Sequence, residues 1–281
     1  MKSHLFAVAF CAVVAAGPVA AQTVVITPPG MATTKAEAYA NPVKWFFYND
    51  ETDLVDNSLG SFVVGPALPP QGTESVEISV SGTQRRNLAT YRFSGLPLAN
   101  VTALGYSTYT PAGNPTPANR AGYLQFNVDF NGTDTWQRRL LFLPKDNGTV
   151  LQDVWQSWDA FAGGTAKWRY SGPTWPGTTI PGATPRTFNN IVASYPGVRV
   201  RVTDAFFGIR VGEPYTNGFT THLDAITVGT AVGTTVFDFD FNHLPTTREQ
   251  CMQGGWQTRT YPDGSPFLNQ GQCVQFVNTG K

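Results

Sequence analysis

Several groups of residues in this chain are of the right type and spacing to do chemistry. Asp238 and Asp240 stand two apart in an alternating run. On a strand they would share a face about 6.8 Å apart, a separation compatible with the carboxylate pair of a glycoside hydrolase. The intervening Phe237, Phe239 and Phe241 also explain the run as a plain core-facing stripe. Trp155, Trp158, Trp168, Tyr170 and Trp175 crowd into one Gly- and Pro-rich stretch. A pyranose face is apolar and stacks on Trp or Tyr, with polar neighbours taking its hydroxyls. These five are therefore candidate ligand-binding residues, the alternative being that they close one end of a core. The polar side of the run 122–130 presents Tyr123, Gln125, Asn127 and Asp129. With Arg210 and one of Arg138 or Arg139 beside it, that side is a candidate groove floor, the alternative being a plain solvated sheet face. Asp50, Glu51, Asp53 and Asp56 form the densest acidic run. Calcium takes six to eight oxygens, so these four are the candidate metal ligands, with Asp129, Asn131 and Asp134 a second, smaller set. Otherwise they form a solvated acidic turn.

Other chemistries find no support. Gly-x-Ser-x-Gly, the phosphate-binding Gly-x-x-x-x-Gly-Lys and the dinucleotide fingerprint are all absent. His222 lies in a strand beside Asp224, where a structural imidazole is the expected role, and neither it nor His243 sits at zinc-ligand spacing from the cysteines. Glu74 and Glu77 would point to opposite faces of a regular strand.

Composition bounds the class. The 281 residues include 19 Lys+Arg and 19 Asp+Glu, with 13 % aromatics and 14 % charged residues. That balance argues against a nucleic-acid binder, and the aromatic content argues against disorder. Residues 1–21 read as a signal peptide: Lys2 and His4, an apolar run Leu5–Ala16, the breaker Gly17-Pro18, then small residues before Gln22. No later segment is apolar and long enough to anchor in a membrane. The chain is thus expected to be exported, to the periplasm, the cell surface or the medium. Cys251 and Cys273 remain after cleavage and are expected to pair, closing a loop of about 20 residues worth on the order of 3 kcal/mol.

Positioning elements follow from periodicity. After a Thr/Pro/Ala-rich lead at 22–42, short runs of period two are separated by Gly, Pro, Asn and Asp. Strands are predicted at 43–48, 61–64, 74–80, 88–94, 101–109, 122–130, 136–143, 166–170, 198–203, 205–211, 221–228 and 235–241. One polar and one apolar face per strand means antiparallel sheets, each with one buried side. Asn131-Gly132 is a hairpin signal. A single short helix is predicted at 187–194, capped by Thr187 and ended by Pro196-Gly197. The fold class is therefore all-β, a two-sheet antiparallel sandwich over 43–243, with a small disulfide-stapled unit at 245–281.

Six stretches carry two resemblances. Thr187-Phe-Asn-Asn-Ile-Val-Ala-Ser-Tyr-Pro-Gly-Val-Arg-Val, Phe207-Gly-Ile-Arg-Val-Gly, His222-Leu-Asp-Ala-Ile-Thr-Val-Gly and Thr235-Val-Phe-Asp-Phe-Asp resemble the end of a jelly-roll domain. The type is concanavalin A-like or carbohydrate-module-like and occurs in secreted bacterial proteins. Cys251-Met-Gln-Gly-Gly-Trp256 with Asn269-Gln-Gly-Gln-Cys273-Val is similar to a short C-terminal unit of other bacterial secreted proteins. The resemblance implies a structural calcium ion but brings no catalytic residue, and the Glu-x-Asp-x-x-Glu strand of laminarinase-like jelly rolls is absent. The expected function is a secreted, non-catalytic module that binds a polysaccharide or cell-surface glycan. The alternatives are a surface-layer or adhesion protein docked through its C-terminal unit, and a polysaccharide hydrolase or lyase.

Overall fold

The computed structural model describes residues 21–114, 119–212, 218–240, 245, 247–261 and 265–281. Residues 1–20 of the expected signal peptide (1–21), Phe241, His243 and most of the junction at 241–246 lie outside them. In chain order the described strands are β1 (Gln22–Ile26), β2 (Trp45–Asn49), β3 (Leu54–Val55), β4 (Ser61–Val64), β5 (Glu74–Val80), β6 (Arg85–Thr90), β7 (Val101–Tyr109) and β8 (Tyr123–Asp129). They continue with β9 (Arg139–Phe142), β10 (Trp155–Asp159), β11 (Lys167–Tyr170), β12 (Arg186–Thr187), β13 (Arg199–Val200), β14 (Phe207–Gly212), β15 (Phe219–Thr230) and β16 (Gly233–Phe239). Helices α1 (Lys35–Ala40), α2 (Pro144–Asn147), α3 (Phe188–Ser194) and α4 (Gln270–Thr279) are short.

Two sheets, antiparallel apart from one pair, make the expected sandwich. In the first, β15 carries β7 along one side, and β7 carries β10. The other side of β15 is shared: β5 pairs its first half and β16 its second. The register shifts after Asp224, where Ala225 takes a left-handed backbone (φ 52°). Such a bulge re-aims a strand, and here it lets one long strand serve two neighbours. In the second sheet the order is β12-β11-β9-β8-β14-β6-β2-β3. Its inner face is aromatic: Trp45 stands between Phe237 and Phe239, 5.2 Å from each ring, and Phe126 stacks on Phe207 at 5.8 Å. Burial of each such side chain stabilises by about 1.5–3 kcal/mol.

Strands 61–64, 74–80 and 101–109 fall where their alternation puts them. α3 begins at its predicted cap, with Thr187 Oγ1 accepting from Asn190 N–H at 3.2 Å. Residues 22–42 are not a separate lead: β1 pairs parallel with β16, and Met31, Ala32 and Ala38 are buried in the core. The Thr34-x-x-Glu37 signal was present. Thr34 Oγ1 accepts from Glu37 N–H at 3.1 Å, and Glu37 reaches back to Thr33 N–H at 2.8 Å, a variant of the capping box.

The C-terminal unit holds the Cys251–Cys273 disulfide. Its small core of Cys251, Phe267 and Cys273, with Trp256, Tyr261 and Phe276, is separate from the core of the sandwich. α4 starts on Asn269, whose side chain accepts from Gln272 N–H at 3.0 Å, and ends at left-handed Gly280. Among the described residues no helix is long and apolar enough to cross a membrane.

Candidate functional site

The tryptophan cluster is mostly core. Trp168 is wholly buried against Phe126 and Phe142, its indole N–H donating to Ala160 O at 2.9 Å. Trp175 is buried and donates to Thr184 O, Trp158 donates to Thr108 Oγ1, and the Tyr170 hydroxyl donates to Gln137 O. An indole whose face packs on phenylalanines and whose N–H is satisfied internally offers a sugar nothing. Trp155 is half-buried, set against Tyr109 at 5.9 Å and donating to Pro66 O at 2.7 Å. Its strand, β10, was not legible as one, because polar Gln156, Ser157 and Asp159 separate its aromatics.

The polar side of β8 does lie on the outer face of the second sheet, but it is covered. Gln125 and Asn127 are fully buried, and Tyr123 nearly so. Gln125 donates to Asn87 Oδ1 at 2.9 Å, and Asn127 donates to Asp204. Asp129 is spent on its own hairpin, accepting from the backbone of Asn131, Gly132 and Asp134 and pairing with Arg199 at 2.9 Å. These contacts explain its lowered pKa: burial raises it, and Arg199 with the three N–H groups outweighs burial.

Arginines cover this floor. Asp50 accepts from Arg139 at 3.0 Å and from Arg210, with Arg85 at 3.7 Å. Burial pushes the Asp50 carboxyl up, but Arg210, Arg139 and Arg85 together hold it below the ordinary carboxylate range. Register decides which of the adjacent arginines takes part. Arg139 pairs with Asn127 across β8–β9 and donates to its Oδ1 at 3.0 Å, whereas Arg138 is exposed.

The four expected metal ligands therefore have other partners. Asp50 serves three arginines, Glu51 pairs with Arg85 at 2.7 Å, Asp53 pairs with Lys35 at 2.6 Å, and Asp56 caps Ser58 N–H at 2.8 Å. Among the described residues no group of three acidic, His or Cys side chains is placed to hold a metal. The donors of this run point at cations and backbone rather than at one centre, so they do not fit a calcium ion.

The open feature of this face is Trp136, which sequence reading passed over. It is 52 % exposed at the end of the β8–β9 hairpin. The guanidiniums of Arg139 and Arg201 each lie 5.8 Å from its ring centre. Arg139 also lies 4.9 Å from Phe206, Phe206 is 5.7 Å from Tyr48, and Lys35 is 5.8 Å from Tyr48. A continuous series of cations and aromatic rings thus crosses the face from Lys35 through Tyr48, Phe206, Arg139 and Trp136 to Arg201. Asp134 holds the rim, accepting from Val202 N–H and Thr203 N–H at 2.8 Å each. Parity was the usable signal: with Leu140 and Phe142 inward, Arg139 must face outward.

On the outer face of the first sheet, Glu77, His222, Tyr109 and Trp155 form one cross-strand row. Burial lowers the His222 pKa to about 4. The segment 65–73 straps this face: Gln71 N–H donates to Asp224 Oδ2 at 2.9 Å. Asp238 and Asp240 lie beneath it at 5 % exposure each. Gly72 touches them, since a Cβ there would come within 2.6 Å of Asp240. Burial first, and then Asp238, raise the Asp224 pKa to about 7. Two hollows of about 430 and 460 Å³ flank β10 and share Ser157, Trp158 and Asp159.

No family model matches the chain, and no curated protein matches it. Among solved structures it is similar to the family 11 carbohydrate-binding module of a cellulosomal cellulase of Clostridium thermocellum (12 % identity, 71 % of this chain, 91 % of that one, TM-score 0.34). The family 30 module of another cellulosomal cellulase of that organism matches at 10 % identity over 61 % of this chain and 83 % of that one, TM-score 0.34. A β-1,2-glucanase from Parabacteroides distasonis matches at 10 % identity over 67 % of this chain and 22 % of that one, TM-score 0.34. The β-sandwich description rests on this chain's own two sheets.

Proposed function

We propose that this protein is exported and binds a polysaccharide or cell-surface glycan, without transforming it, on the outer face of the second sheet. The observation that carries this reading is Trp136, a half-exposed indole supported by Arg139 and Arg201. A fixed aromatic face beside guanidinium donors is what a sugar ring and its hydroxyls require. The burial of Asp238 and Asp240 supports a binding rather than a hydrolytic role, and the disulfide supports an oxidising compartment.

A glycan array probed with the full chain tests this. Selective binding is expected, with Trp136→Ala weakening it about tenfold at unchanged melting temperature and Trp155→Ala leaving it intact. A blank array, or binding indifferent to Trp136→Ala, overturns the reading. The separate core of the C-terminal unit supports a second reading, a surface structural protein docked through that unit. Loss of surface retention on deletion of 245–281, with a blank array, would favour it.

A further inference from the structure

The outer face of the second sheet continues past Gln125 and Leu141 to Arg169 on β11, all three in one cross-strand row. At this end β8 begins and β9 ends, with Leu124 opposite Phe142. Arg120 leads into β8, and Lys145 and Asp146 follow β9 in α2. Strand register therefore places three cations at one end of the second sheet, the end away from the β8–β9 hairpin that carries Trp136.

Their compensation is incomplete. Asp146 is committed to Arg169, accepting from Nε at 2.5 Å and from Nη2 at 2.7 Å. Arg120 Nε is buried and has no hydrogen-bond partner among the described residues. Burial lowers the Lys145 pKa, and the charges acting on it are the cations Arg120 and Arg169 against the single carboxylate Asp146. A buried donor without an acceptor, beside like charges, is costly unless an anion completes the group. Elsewhere on the face Arg85 pairs with Glu51, Arg139 and Arg210 pair with Asp50, and Arg201 Nε lies 3.6 Å from Asp134.

We infer that the glycan is anionic, its carboxylate or sulfate group lodging among Arg120, Lys145 and Arg169. This rests on the glycan-binding reading above and adds the class of sugar. Guanidinium groups bind planar and tetrahedral oxyanions in two-pronged fashion. The corner supplies charge-assisted donors and Trp136 supplies the stacking surface.

The test is affinity electrophoresis of the full chain through gels containing polygalacturonate or its methyl ester, and dextran sulfate or dextran, at physiological salt. Retardation is expected in one charged gel and not in its uncharged partner, and which one distinguishes carboxylate from sulfate. Lys145→Gln and Arg120→Gln should each weaken it about tenfold, the loss of one charge-assisted hydrogen bond, at unchanged melting temperature. Retardation by uncharged glycan that depends on Trp136 but not on Lys145 overturns this inference and leaves the glycan-binding reading standing. Acidic-gel retardation that persists in both variants, or is matched by single-stranded DNA, overturns it as unspecific polyanion attraction.

Discussion

Arg139 and Asp50, 89 residues apart in the chain, meet at 3.0 Å over the middle of the second sheet. The pair covers Gln125 and Asn127 and holds the guanidinium that supports Trp136. Asp50 is also bound by Arg210 and approached by Arg85, so its removal leaves three arginines facing one another. Asp50→Asn should cost about 3 kcal/mol in urea denaturation. The folded pKa of Asp50 is depressed, so its stabilisation is present above the unfolded value of about 3.9 and lost as pH falls through the folded one. The deficit of the variant should therefore shrink in acid. A deficit that is constant with pH would show that Asp50 acts through packing alone.

Asp224 has the opposite sign. Its folded pKa is raised to about 7 by burial and by Asp238, so the folded state retains a proton that the unfolded state gives up near pH 4. The Asp224 contribution to stability should fall as pH rises from about 4 to about 7, while His222, whose pKa burial lowers to about 4, contributes in the opposite direction over the same range. Asp224→Asn should remove this contribution, so that the variant gains stability relative to the wild type as pH rises, although it loses one of the acceptors used by Gln71 and Phe239. Denaturation midpoints at pH 4, 5.5 and 7 measure this, and parallel profiles for the two proteins would contradict it.

Trp168→Ala should destabilise the fold by about 3–5 kcal/mol, because it opens a cavity between Phe126, Phe142 and Phe188. The protein that remains folded should bind glycan as before. Thermal unfolding and binding of the same sample separate the two effects.

Cys251→Ser with Cys273→Ser should loosen residues 247–281 and leave the sandwich folded. The two cores are separate, and a staple closing a loop of this length contributes on the order of 3 kcal/mol to its own unit. Hydrogen exchange should show lost protection in α4 and unchanged protection in β14 and β15.

Local alternation carried the sandwich. Val76, Ile78 and Val80 against Glu77 and Ser79, or Leu124 and Phe126 against Gln125 and Asn127, each state a strand and its buried side, because side chains alternate with period two. The Thr187 cap stated α3 in the same local terms. β1 and β10 escaped because their stability comes from the strands they join, β16 and β7, and not from a pattern of their own. Composition likewise showed that Trp155 to Tyr170 are large aromatics but not which way they face. Burial depends on which residues pack over each ring in the folded chain, and that packing placed Trp158, Trp168 and Trp175 inside.

The chain's own order of residues thus determined the β class, the polar and apolar side of its regular strands and the cysteine pair, since these depend on neighbours one to four residues away or on a short loop. The meeting of Arg139 with Asp50, the exposure of Trp136 and the corner of Arg120, Lys145 and Arg169 were decided only by tertiary structure. Each joins segments whose register and twist are set by strand pairing across the sheet, and no local pattern encodes which distant side chains that pairing brings together.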